Sequence, residues 1–255
     1  MNCGAGQTGT DTHGPGGRVN KQAVTTADRK SAAPATDEKR ARGAATSEGI
    51  LRAALRLMAE SGYNGVSLRR IGLEAGVNLA LMNYHFGSKA QLLQAIFERW
   101  ASGINAERMR LLGELDQRHP DGEPPLEDLL HAFIAPTLAA SRTEREDVVH
   151  FLRLSGRLAT DPTPEVRAVI ASVYDEAAVK FARSLRHACA HLSTEEYLMR
   201  LVFLYGAMVY TRSETGRVDS LARKLGEKPP KTSVHEAGRY LVPFLAAALR
   251  APPAP

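Results

Sequence analysis

The chain has 255 residues, 44% hydrophobic and 24% charged, enough apolar material for one large domain or two modest ones, which excludes wholesale disorder. No run approaches the roughly 20 apolar residues a bilayer requires, and two cysteines, Cys3 and Cys189, exclude a disulfide scaffold or a paired-cysteine zinc site. The net charge of +5 sits wholly in the first hundred residues. Residues 1–45 hold seven Lys/Arg against four Asp/Glu, residues 46–100 six against four, and residues 101–255 twenty of each. A basic front end on a neutral body points to an anionic partner at that end.

Residues 1–45 carry only three large apolar side chains, Met1, Val19 and Val24, and seven of the 21 glycines. Such a stretch cannot bury enough surface to offset its ordering entropy, so a disordered basic tail is expected. It reads either as an arm that strengthens nucleic-acid binding or as an unselected leader. It lacks the apolar run of a signal peptide, which places the expected product in the cytoplasm.

From Thr46 the pattern is helical. Ile50, Leu51, Ala54, Leu55 and Met58 recur at helical spacing until Gly62. Ser67 caps a short second helix, with Val66 and Ile71 placed as a hydrophobic staple, and Ala75-Gly76 ends it. Asn78 caps a third, with Val77 and Met82 in the same relation, and Gly87 stops it. Ser88-Lys89-Ala90-Gln91 reads as a capping box that opens a long fourth helix through Trp100 to about Leu115. After the Pro/Gly-rich break at His119–Pro125, helices are predicted at 126–141, 144–159, 163–191, 194–214 and 233–250. Thr163-Pro164 is a cap followed by a first-turn proline, and Ser193 to Glu196 is a further capping box. No alternating β-branched run competes. The fold class is all-α in two parts, three short helices at 46–100 and a larger helical part at 101–250, with a proline-rich tail at 251–255.

Three short helices, the last two joined by a tight glycine turn, make a helix-turn-helix. The segment Ser67-Leu68-Arg69-Arg70-Ile71-Gly72-Leu73-Glu74-Ala75-Gly76-Val77-Asn78-Leu79-Ala80-Leu81-Met82-Asn83-Tyr84-His85-Phe86-Gly87-Ser88-Lys89 resembles the TetR/AcrR family of bacterial transcriptional regulators. Ile50 to Ala54 in the first helix, with Gly62 and Gly65 after it, belong to the same pattern. The resemblance covers about residues 46–100, and the remainder agrees only in size and helical organisation. It implies a homodimer joined through its last long helices, double-stranded operator DNA as partner, and an unidentified small-molecule effector. The position of Asn83 is most often tyrosine in the family, whereas Tyr84 and His85 follow the pattern.

The residues carry a reading of their own. A nine-residue helix at 78–86 is ~13 Å long, short enough for a major groove ~12 Å wide. Met82 and Phe86 should pack inward and turn Leu79, Ala80, Leu81, Asn83 and Tyr84 outward. Leucines suit thymine methyls and Asn83 a base edge such as adenine; alternatively, Leu79 or Leu81 packs on the first helix. Arg69 and Arg70 sit in a first helical turn, where a cation opposes the helix dipole, and Lys89 follows its own cap. A phosphate would relieve that conflict and meet the free N–H groups there. Ser67, Asn78 and His85 complete the expected DNA-contacting set.

Leu198, Leu201, Val202, Tyr205, Gly206 and Val209 form an apolar stripe with a small residue inside it, expected at the dimer interface. Phe151, Leu154, Tyr174, Phe181, Met199 and Phe203 are candidates to line an effector pocket, although core packing explains them equally well. His187 and His191 are expected four apart on one helix face, more plausibly as polar residues near a helix end than as metal ligands. There is no nucleophile elbow, glycine-rich phosphate loop or HExxH, so neither an enzyme, a metal nor a cofactor is expected. The reading is a ligand-responsive DNA-binding repressor. Its rivals are a helical protein-interaction module, which would not need the confined basic excess, and a small-molecule-binding protein without an operator.

Overall fold

The computed structural model describes residues 33–121, 124–142, 144–213, 216–231 and 233–254. Contacts divide the chain into one unit up to Arg42 and another from Gly43 to Pro255. Of the first, what is described is the opening of helix α1 (Ala33–Ser61), where Glu38 and Arg42 pair one turn apart at 3.2 Å. The helix thus begins upstream of the expected start at 46. Alanine, glutamate, lysine and arginine are strong helix formers, and Pro34 suits a first turn, so propensity outweighs the lack of apolar residues there. The remainder of the expected tail, residues 1–32, lies outside the described residues.

In the second unit, α2 (Leu68–Glu74) and α3 (Leu79–Phe86) follow α1, and α4 (Lys89–Arg118) runs on from them. Then come α5 (Leu126–Ala140), α6 (Glu146–Leu158), α7 (Pro164–Ala188), α8 (Thr194–Ser213), α9 (Arg217–Lys224) and α10 (Gly238–Arg250). A 3-10 turn, Val234–Glu236, precedes α10 and splits the helix expected at 233–250. The break lies beside Gly238, which lets Leu138 approach to 3.2 Å of where a Cβ would sit. No helix is expected from the sequence at α9, which is short, mostly polar and without a buried residue, and so carries no burial pattern. No helix among the described residues is long and apolar enough to cross a membrane.

Two hydrophobic cores hold the unit together. The first joins α1 to α4 with Phe151, Leu154 and Leu158 of α6 and Val166 and Val169 of α7. The second joins the end of α4 to α5, the end of α7, α8 and α10. Helix α4 enters both, through Leu92 to Ala101 in the first and Leu112 and Leu115 in the second. The expected boundary at residue 100 therefore falls inside a helix that both cores share. Phe97 packs edge-on to Phe151 at 5.3 Å, and Trp100 donates its indole N–H to Asp147 at 3.2 Å, fixing α6 to α4.

Two other expectations change. Helix α7 ends at Ala188, so His191 lies in the following turn, with Nε2 3.3 Å from the Ala251 carbonyl, and does not share a helix face with His187. The expected tail after Arg250 is tied down. Arg200 donates to the carbonyls of Ala248, Leu249, Ala251 and Pro252, and Glu196 accepts from the Ala254 N–H at 3.1 Å.

Gly72, buried in α2, is a packing glycine. A Cβ there would stand 2.9 Å from the Val77 carbonyl oxygen and 3.3 Å from Met82 Cγ. Gly72→Ala should lower stability by about 1–3 kcal/mol, because a backbone oxygen cannot rotate away. Gly103→Ala, on the open side of α4, has nothing within 4 Å and should gain about 0.5–1 kcal/mol. Chemical denaturation of both variants checks the pair; equal midpoints would show that the α2–α3 turn absorbs a methyl group without strain.

Candidate functional site

The α2–α3 turn is built by local hydrogen bonds. Ser67 Oγ accepts from the Arg70 N–H at 3.2 Å, and Asn78 Oδ1 from the Leu81 N–H at 2.8 Å. Gly76 takes φ 68°, a left-handed conformation that glycine adopts without a Cβ penalty. The Val77 N–H then donates back to the Gly72 carbonyl at 2.9 Å. Val66 and Ile71 are both buried, as the staple requires. At the start of α4, Ser88 Oγ accepts from the Gln91 N–H at 3.2 Å, the first half of a capping box. Ser193 does the same for Glu196, whose carboxylate instead pairs with Arg200 at 2.5 Å.

These caps fix which way α3 faces. Met82 is buried and Phe86 is half-buried against the first core. Ala80 and Asn83 are exposed, Leu79 is 48% exposed and Tyr84 83%. Leu81 is half-buried rather than fully outward, and His85 is half-buried with its ring edge-on to Tyr84 at 5.3 Å. The helix has eight residues, ~12 Å at 1.5 Å each, and presents a mixed apolar and amide face.

Charge around α3 divides sharply. Arg52 pairs with Glu48 at 3.0 Å, Arg99 with the same glutamate at 3.4 Å, and Arg56 with Glu60 and Glu74. Among the described residues, Arg69, Arg70 and Lys89 have no carboxylate partner. Arg69 and Arg70 are exposed in the first turn of α2, Ser67 and Asn78 are exposed at their caps, and Lys89 is half-buried. Its ammonium lies 4.2 Å from the centre of the Tyr63 ring, and burial pulls its pKa below the usual lysine value. Tyr63, unremarked in the sequence reading, thus holds Lys89 in place. The helix-turn-helix keeps three uncompensated cations while the arginines behind it are neutralised.

The expected interface and pocket residues are divided among an outer face of α8, the two cores and a cavity. Leu198 (53% exposed), Val202 (59%) and Gly206 are on the outer face of α8, but Leu201 is buried in the second core. Tyr205 and Val209 face an internal cavity. Conversely, Met199 and Phe203 (62% exposed) are on the outer face, while Leu154 and Phe181 are sealed inside the cores. Phe151 and Tyr174 line the cavity. Helix α8 is apolar on most sides, and periodicity alone cannot say which side meets which neighbour. Tyr240 and Phe244 of α10 are also exposed large apolar side chains.

The cavity, about 360 Å³, lies among α4 to α8. Phe133, Phe151, Tyr174 and Tyr205 supply aromatic walls, and Thr137 and Ser155 supply hydroxyls. Two arginines also reach it, Arg108 of α4 and Arg212 of α8. Both were missed, although each continues an apolar stripe at four-residue spacing: Ile104-Arg108-Leu112 and Leu204-Met208-Arg212. A charge in a core register was the available signal.

The family model for "Bacterial regulatory proteins, tetR family" matches residues 50–96, and that for "Tetracyclin repressor-like, C-terminal domain" matches residues 131–248. No curated protein matches the chain significantly. Among solved structures, the fatty acid degradation regulator FadR from Bacillus halodurans is 14% identical with a TM-score of 0.51, over 80% of this chain and 96% of that one. A linker-substituted mutant of HlyIIR is 18% identical with a TM-score of 0.50, over 81% of this chain and 97% of that one. At these identities the likeness is one of fold. The two family models cover the helix-turn-helix and the helices behind it, and the chain belongs to the tetR family of bacterial regulatory proteins.

Proposed function

We propose that the protein is a homodimeric, ligand-responsive repressor that works in the cytoplasm, reading operator DNA with α3. The observation that carries this reading is the set of three cations, Arg69, Arg70 and Lys89, left without carboxylates around the exposed face of α3. Phosphates meet these cations and the capped helix N-termini and set the register. Leu79, Ala80, Leu81, Asn83 and Tyr84 then lie against base edges and the flanking backbone, Asn83 with both donor and acceptor. His85 supports Tyr84 from the side.

Dimerisation uses the outer face of α8 and α10: Leu198, Met199, Val202, Phe203 and Tyr210 with Tyr240 and Phe244. So many exposed large apolar side chains on two contacting helices mark a surface that another protein surface covers. Nothing lies within 4 Å of a Cβ built at Gly206, so a partner helix can approach closely there.

The cavity holds the effector, and two helices connect it with the reading head. Helix α4 carries Lys89 at its start and Arg108 at the cavity. Helix α6 carries Phe151 and Ser155 at the cavity and Arg157, whose guanidinium donates to the carbonyls of Ala59 (3.1 Å) and Glu60 (2.6 Å) at the end of α1. A ligand that favours a shifted α6 therefore shifts the end of α1 and the spacing of the two α3 helices.

Duplex binding measured across a salt series tests the reading head. Arg69→Ala and Lys89→Ala should each lower the salt slope by roughly one unit and weaken all sequences alike. Arg52→Ala, whose side chain is already paired, should leave the slope unchanged. Equal slopes in all three variants would remove Arg69 and Lys89 from the phosphate contacts.

Phe203→Glu should convert the dimer to a folded monomer in light scattering, because two copies would face carboxylate with carboxylate. Affinity for a two-half-site duplex should then drop on the order of 10²-fold as the linked second site is lost. A variant that remains dimeric would move the interface elsewhere.

A further inference from the structure

Resting on the reading of the internal cavity as the effector site, we infer that the effector is a monoanion, a carboxylate on an apolar body, with the carboxylate held by Arg212 and Arg108. Two guanidinium groups reach the cavity. Arg108 is 4% exposed, and its donors go to the Phe133 carbonyl (2.9 Å), Asn105 Oδ1 (2.8 Å) and Thr137 Oγ1 (2.5 Å). All three acceptors are neutral, so its charge is hydrogen-bonded but not balanced. The bonds to Phe133 and Thr137 tie α4 to α5. Arg108 therefore has a structural task, yet part of its five-donor fork remains unspent.

Arg212 has no such task. Among the described residues it has neither a carboxylate nor a hydrogen-bond acceptor, and its Nε is sealed from solvent without a partner. Burial pushes the pKa of both guanidinium groups down, that of Arg108 to about 10, and the charge of Arg212 adds to the penalty on Arg108. Two like charges beside one cavity, with one donor left unbonded, destabilise the empty protein. A carboxylate would remove that cost, since its two oxygens match the guanidinium fork.

The cavity also sets the charge and shape of the ligand. The remaining ionisable carboxyl on its wall, Asp175, is exposed at the rim. Two inner cations and one rim acid leave room for a single negative charge. Beyond the arginines the walls are Phe133, Phe151, Tyr174, Tyr205, Ile170 and Met208, so the body of the ligand is apolar. The hydroxyl of Tyr174 is engaged with Ser155, and burial keeps it protonated.

Calorimetry on the full chain tests this with two carboxylate probes, decanoate and 2-naphthoate, each against its neutral primary amide. At least one carboxylate should bind, and at least tenfold tighter than its amide. Arg212→Met should abolish that preference, bringing the affinity of the carboxylate down to that of its amide. The same substitution should raise the thermal midpoint of the ligand-free protein, because a half-buried charge with one sealed, unbonded donor is removed. Failure of both carboxylates, amides that bind equally well, or an Arg212→Met protein that keeps the preference would overturn the assignment. The wild-type comparison decides even if the variant does not fold. Duplex binding by the same sample separates the two claims. A protein that binds duplex but neither carboxylate loses this ligand class and keeps the regulator reading. One that binds carboxylate but no duplex keeps the ligand class and loses the regulator reading.

Discussion

Helix α4 is buried twice, and most of the molecule follows from that. Its first half supplies Leu92, Leu93, Ile96 and Phe97, all fully enclosed, to the core beneath the helix-turn-helix. Its second half supplies Leu112 and Leu115 to the core beneath α8 and α10. Removing either set of contacts would expose a row of large side chains, each worth about 1.5–3 kcal/mol of burial. The helix is therefore held at both ends, and a displacement at one is felt at the other. At 30 residues it spans ~45 Å, long enough to carry Lys89 beside Tyr63 at its start and Arg108 inside the cavity further along.

Electrostatics divide the same way. Where an arginine serves the fold, it has a partner: Arg52, Arg56 and Arg99 share three glutamates, and Arg200 and Arg157 close the ends of helices through carbonyl oxygens. At Arg69 and Arg70, and at Arg212 beside the cavity, no acceptor balances the charge among the described residues. The proposed function places an anion at each, a polyanionic backbone in one case and a small molecule in the other. The stability given up at such positions is a common cost of a binding site.

The front of the chain was legible because its signals are local. Ser67, Asn78 and Ser88 act as caps wherever the chain goes, and Gly62, Gly76 and Gly87 mark turns that other residues resist. The inward placement of Met82 and Phe86 followed from spacing alone. The rear was not legible in the same way. An apolar stripe shows that α8 is covered on several sides, but the neighbour on each side is set by α5, α7 and α10, far away in sequence. Leu201 and Val202 are adjacent residues of one type, yet one is core and the other is surface. The start of α1 at Ala33 was missed because weak burial was read as weak structure, when helix propensity alone was sufficient.

The central claim is that two copies of α3, held at a fixed spacing by α8 and α10, read one strand-symmetric site. Selection of binding sites by the purified protein from random duplex DNA tests it most directly. The account predicts an imperfect palindrome whose half-sites are centred roughly 10 bp or a multiple apart, so that both α3 helices enter the same side of the duplex. Recovery of a single unrepeated motif, or of no enriched sequence, would contradict it.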